Sequence, residues 1–203
     1  MKILKYCIVL FVFLFVSCDK SFDKSNENAE NILITNDRLK DSLSFELCKM
    51  HGLDQGIRES PGMKDKWSFI HPIDSINFYK TIDFIKEFGY PTKELLGEEN
   101  FSFECVAAAA FAVLLHNPHI IVNNEEYVDL LLEEVNNGRL SLDSLLLFLD
   151  KYYVIRRDEN GNPMLLYGSQ FGKPCLSNRS KSDESRKKLG LEPLKDEEFK
   201  SCE

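Results

Sequence analysis

Glycine (10), proline (7) and cysteine (6) are all scarce among the 203 residues, which excludes collagen-like chains, proline- and glycine-rich disordered chains and small disulfide-dense scaffolds. Positive charge is in deficit: 25 Lys and Arg against 33 Asp and Glu leave a net charge of -8. No overall field exists to neutralise a phosphate backbone, so nucleic acid is not expected as a partner. Long apolar runs are also missing. The one at residues 6–16 reaches about 16 Å as helix against a hydrocarbon core of roughly 30 Å, too short to serve as an ordinary membrane span. Metal and nucleotide signatures are equally lacking: no C-x-x-C, H-E-x-x-H or EF-hand pattern occurs, and Gly168-Ser169 is not a G-x-S-x-G elbow. No metal and no cofactor is expected. What is present, 43% hydrophobic and 11% aromatic residues, suffices for one globular domain.

The first residues follow the layout of a secretory signal: Lys2 and Lys5, the apolar run, then Ser17-Cys18 and Asp19-Lys20. Phe15-Val16-Ser17-Cys18 resembles the lipobox of bacterial lipoproteins, which implies cleavage before Cys18, acylation of its thiol and freed amine, and the lipid bilayer as a partner. The expected organisation is therefore a signal peptide over 1–17, a lipidated Cys18 with a flexible tether over 18–34, and a domain over 35–203. Cleavage removes two lysines and takes the net charge to -10. The polar composition of residues 19–30, with Phe22 its only large apolar side chain, supports the tether. The domain would face the periplasm or the cell exterior.

Periodicity organises the body. Leu39, Leu43, Leu47, Met50 and Ile57 predict a helix over 37–58, capped at Thr35 or Asn36 and ended by Gly56 with Pro61-Gly62. Asp74 is the expected cap of a second helix, whose Ile76, Phe78, Ile82, Ile85 and Phe88 run to Gly89-Tyr90-Pro91. The stretch 105–115 is free of charge and alanine-rich, as a buried central helix closed by Asn117-Pro118 would be. Two amphipathic helices over 124–135 and 141–153 follow. Residues 153–157 and 164–167 flank Asn160-Gly161, which predicts one small β-hairpin, with Pro163 placing it at an edge. The tail holds a short helix over 183–189 and a last turn over 196–199. The expected fold is mainly α: a single domain of about five main helices with one small β-hairpin in the C-terminal third.

Asp54 falls on the apolar stripe of the first helix, where a carboxylate points inward and needs partners. Arg58 lies four residues on, and His51 and Gln55 border the same face, so a structural ion pair and a functional one are both open there. His116 ends the apolar helix, where the negative end of the macrodipole stabilises imidazolium, as a cap or as an acid/base. His116 and His119 have ligand-like spacing, but Pro118 breaks the helix that would align them. Asp150 follows a leucine stripe, and Tyr167-Gly168-Ser169-Gln170 closes the second expected strand. Cys48 and Cys105 read as small buried hydrophobes, while Cys175 and Cys202 share the polar tail and are placed to pair in an oxidising compartment.

Taken in order, Asp54-Gln55-x-x-Arg58, Asp74, Gly89-Tyr90-Pro91, Gly97, the alanine-rich helix ending in His116, Leu149-Asp150-Lys151, Tyr167-Gly168-Ser169-Gln170 and Arg186-x-x-x-Gly190-Leu191 resemble a bacterial domain family of unknown function, family 6624, across residues 43–199. The sequence departs from that pattern at Lys151 and Ser169. The resemblance implies a converging polar set without an assigned activity. His116, Asp54 and Asp150 are its candidate catalytic residues, and Gln55, Arg58, Tyr167, Gln170 and Arg186 its candidate ligand contacts. Two readings follow: a ligand-binding or interaction module for a small or peptide-like envelope ligand, or a hydrolase or transferase working through the His/Asp/Arg site.

Overall fold

The computed structural model describes residues 24–202, with side chains from residue 36 onward. The described residues are mainly helical. It divides into two units, Met1–Asn36 and Asp37–Glu203, and the packing and the site described below belong to the second. The signal peptide and Cys18 lie outside the described residues. Among those described, no helix is long and apolar enough to cross a membrane.

Ten α-helices occur among the described residues: α1 (Lys24–Glu59), α2 (Trp67–Phe88), α3 (Lys93–Leu96), α4 (Glu98–Phe101), α5 (Glu104–Ala107), α6 (Ala109–His116), α7 (Pro118–Val122), α8 (Glu125–Asn136), α9 (Leu142–Val154) and α10 (Arg179–Lys188). The expected five are recognisable, with shifted ends. Helix α1 begins at Lys24, inside the stretch read as tether. Helix α2 begins seven residues before Asp74 and carries Pro72 within it. Asp74 is therefore not a cap; its carboxylate serves Arg58 on another helix instead of the amides of its own. The central helix is two segments, α5 and α6, meeting at Ala108.

The predicted β-hairpin is corrected: no β-strand occurs among the described residues. The Asn160-Gly161 turn forms, but it supports a single antiparallel bridge, Arg157 to Pro163. The ladder stops there because its donors are spent elsewhere. Pro163 has no N–H, the amides of Asn160 and Asn162 go to the Asp158 carboxylate at 3.0 and 2.8 Å, and those of Leu166 and Tyr167 go to Asp150. The Asn162 amide, foremost among these contacts, also holds the Asp158 carboxyl below the usual carboxylate range.

Two apolar clusters form the core. The larger joins α2, α6, α7, α8 and α9 through Phe78, Leu114, Ile121, Leu131, Leu145 and Phe148, and takes in Leu166 and Tyr167 from the tail. The smaller joins α1 to α2, α3, α5 and α6 through Leu47, Met50, Phe84, Leu96, Val106 and Ala109. Between the two, α2 presents a buried polar row, Asp74, Asn77 and Thr81. Asn77 Nδ2 donates to the Met50 carbonyl at 3.1 Å, and Asn117 Nδ2 donates to the carbonyls of Val113 (2.8 Å) and Asp74 (3.3 Å). These bonds tie α1 and the end of α6 to α2.

Two disulfides are present, Cys48–Cys105 between α1 and α5 and Cys175–Cys202 within the tail. The first corrects the expectation of two free buried thiols. The motif Gly89-Tyr90-Pro91 is explained by a buried carboxylate. Glu134 accepts the Tyr90 amide at 2.7 Å and Arg139 Nε and Nη2 at 2.6 and 2.7 Å. Arg139 packs so closely over Gly89 (φ +86°) that a Cβ there would lie 2.7 Å from its Nε. Burial raises the Glu134 carboxyl, but its hydrogen bonds from Arg139 and Tyr90 and the Arg139 charge outweigh it and leave the group below the usual range.

Candidate functional site

Asp54 is 0% exposed between Met50 and Ile57 on α1. A carboxylate so placed is costly unless paired, and three side chains reach it. Arg58 Nη1 lies 2.8 Å from Oδ1, Gln55 Nε2 2.6 Å from Oδ2, and His116 Nδ1, arriving from the end of α6, 3.0 Å from both oxygens. The i, i+4 spacing on α1 makes the Arg58 contact local, and Arg58 Nη1 also donates to the Asp54 carbonyl at 2.7 Å. Its Nη2 crosses to α2, 2.7 Å from both oxygens of Asp74. Lys66 Nζ donates to the Arg58 carbonyl at 3.0 Å and closes the α1–α2 connection. One guanidinium thus bridges two buried carboxylates, one of which holds the histidine.

A hydrogen bond from Nδ1 to a carboxylate keeps the proton of neutral imidazole on Nδ1 and leaves Nε2 as an acceptor. His116 Nε2 has no hydrogen-bond partner among the described residues and is not one of the buried polar atoms lacking one. The His116 side chain is 26% exposed and lines a cleft of about 670 Å³, within the range of roughly 300–1,000 Å³ usual for small-molecule sites. The cleft opens between the start of α2, the α6–α7 junction and the end of α9. Its walls include Trp67, His71, Lys151, Tyr152, Ile155 and Arg156.

The other expected site residues are not brought to this cleft. Asp150, fully buried, accepts the amides of Leu166 and Tyr167 on Oδ1 and that of Ser169 on Oδ2, so its role is to shape the 166–169 turn. Tyr167 is buried beside it, and burial pushes its phenol up to about 12. Arg186 donates to the carbonyls of Tyr167 and Glu192 at 2.7 Å each and clamps the tail. Gln170 is exposed. Arg58 and Gln55 do reach the site, but Gln55 serves Asp54, and Arg58 is committed to Asp54 and Asp74 instead of facing a ligand.

Sequence reasoning passed over Asp74 as a partner of Arg58, although Asp74 stands four residues from both Ile70 and Phe78 on a buried face, the same signal that marked Asp54. It also passed over the cleft walls, which come from the two ends of helices distant in sequence. Compared with protein-family models, curated proteins and solved structures, the chain matches none. Its chemistry is therefore read from the site itself.

Proposed function

We propose that the protein is a lipid-anchored envelope hydrolase in which His116 is the general acid/base. One observation carries this reading: a buried carboxylate holds Nδ1 while Nε2 opens to a cleft, the division of labour an acid/base imidazole requires. A water in the cleft gives a proton to Nε2 as its oxygen attacks an electrophilic carbon or phosphorus. The bond to the leaving group then breaks, and the Nε2 proton passes to that group. One water is consumed and nothing is oxidised or reduced. Asp54 is a positioning residue, and Arg58 with Asp74 holds Asp54. The envelope location rests on the leader and on Cys18 in its lipobox-like context.

A second reading, a ligand-binding module using the same cleft, is favoured by one observation: no hydroxyl or thiol among the described residues is hydrogen-bonded to Nε2, so no side-chain nucleophile is paired with the imidazole. Turnover decides between them. The purified domain is assayed with chromogenic ester, amide and phosphoester substrates beside His116→Ala and Asp54→Asn. The hydrolase reading expects hydrolysis that falls by about 10²-fold or more in both variants. His116→Ala should keep its thermal midpoint within a few degrees, on the order of 1 kcal/mol. Absence of turnover, or rates unchanged in both variants, leaves the binding module.

A further inference from the structure

The cleft has an unusual charge for a chain of net -8. Three of the four histidines line it, His71, His116 and His119, together with Arg58, Lys151 and Arg156, whereas Asp74 is the only acidic lining residue among the described residues and both its oxygens are already held by Arg58. The imidazoles are not grouped as metal ligands, since no set of three His, Cys, Asp or Glu able to hold an ion occurs among the described residues. Lys151 and Arg156 have no carboxylate within 4.0 Å among the described residues. Arg156 is nevertheless fixed in place, its guanidinium 3.3 Å above the Tyr152 ring and its Nη1 donating to the Tyr152 carbonyl at 2.6 Å. The Lys151 ammonium lies 5.4 Å from the centroid of the Phe171 ring, a contact that leaves its charge unneutralised. A fixed guanidinium and an ammonium without a carboxylate partner, lining one cleft, form a receptor for an anion.

The mouth of the same cleft is apolar and open to solvent. Trp67 is 61% exposed and stacks on His71 with ring centroids 5.8 Å apart, and Ile155, which lines the cleft from the end of α9, is 69% exposed. Exposed large apolar side chains at the rim of a cleft favour a ligand that brings apolar surface of its own. We infer that the cleft takes an anionic amphiphile, a phosphate, sulfonate or carboxylate head on an apolar body, with the head at Lys151 and Arg156 and the body between Trp67 and Ile155. This names a ligand class for the site and rests on the hydrolase reading only for what happens at His116.

Trp67 is the chain's single tryptophan, so its fluorescence reports on the mouth without any need for turnover. The intact protein is titrated with decyl phosphate, decyl maltoside and decyltrimethylammonium, each kept monomeric. The inference expects a saturable blue shift with decyl phosphate and little with the other two. It expects the apparent Kd to rise about tenfold or more in Lys151→Met/Arg156→Met, equivalent to at least about 1.4 kcal/mol. Should that pair of changes cost the helical circular dichroism, Lys151→Gln alone replaces it, with a rise of about threefold. Equal shifts with all three detergents, or an unchanged Kd in the variant, overturn the inference. So does a shift seen only with vesicles of anionic phospholipid, which would make the mouth a bilayer-docking surface. Binding that survives in His116→Ala keeps the inference standing even where the hydrolase reading falls.

Discussion

Replacing Arg58 with Met removes the cation that two buried carboxylates share. Asp54 has 0% of its side chain exposed and Asp74 10%, and three of the charge-assisted contacts to them, at 2.7–2.8 Å, belong to this one guanidinium. Met fills much of the same volume, so the loss is mainly electrostatic. Leaving buried charge without its partner costs about 3–5 kcal/mol, and for a chain of this length each kcal/mol moves the midpoint by roughly 2–4 °C, so the thermal midpoint should fall by roughly 6–20 °C. Thermal denaturation followed by circular dichroism at 222 nm measures the shift, and urea denaturation the free energy. Adding Asp54→Asn and Asp74→Asn to Arg58→Met should recover much of the loss, because the amides need no counter-ion. A loss below about 1 kcal/mol for Arg58→Met, the scale of an exposed ion pair, would refute the view of Arg58 as the bridge between α1 and α2.

Other consequences are equally direct. Cys48→Ser with Cys105→Ser opens a loop with a sequence separation of 57 and should cost about 4 kcal/mol on chain entropy, read as a lower urea midpoint; an unchanged midpoint would mean that the bridge does not constrain the unfolded chain. Gly89→Ala places a Cβ against Arg139 at a left-handed φ and should destabilise by about 1–3 kcal/mol; measured in an Arg139→Ala background, itself weakened by the loss of the Glu134 partner, disappearance of that added cost counts for the clash and its persistence for the backbone. The lowered Glu134 carboxyl contributes stability that is complete above the ordinary value of 4.5 and is lost as the pH falls through the folded value, so the gap between wild type and Glu134→Gln should be constant near neutrality and shrink in acid. A gap that widens in acid would reverse that sign. Metabolic labelling with a palmitate analogue should mark the wild type and not Cys18→Ala; equal labelling of the two would count against lipidation at Cys18.

Most of the helices were legible because their apolar residues recur at helical spacing, and Asp54 could be placed inward because a carboxylate stands on that stripe. Helix ends were less so. Asp74 resembles a cap from sequence because it stands just before the apolar series that starts at Ile76, yet α2 runs through Pro72, and the spacing of Asp74 from Ile70 and Phe78 marks it as inward without naming a partner sixteen residues away. The hairpin failed for a related reason. Its turn chemistry was sound, but whether a strand extends from a turn depends on where the amides go, and Asp150 takes those of Leu166 and Tyr167 from a helix that ends well before them. The Cys48–Cys105 bridge joins helices far apart in sequence, and no spacing rule reaches it. Of the polar set, Asp54, Gln55, Arg58 and His116 converge, while Asp150, Tyr167 and Arg186 stabilise the tail. Buried carboxylates and arginines have the same sequence appearance in both roles, and only the direction of their hydrogen bonds separates them.

The imidazole of His116 is the test of the whole arrangement, since the site depends on Asp54 fixing the Nδ1 proton and leaving Nε2 free. Side-chain ¹⁵N NMR of His116, recorded where the ring is neutral, reads the tautomer directly. The geometry predicts the Nδ1–H form, with an unprotonated Nε2 whose shift moves when a ligand enters the cleft, and a mixture weighted toward Nε2–H once Asp54 is changed to Asn. An Nε2–H tautomer in the wild type, or a tautomer indifferent to Asp54→Asn, would contradict it.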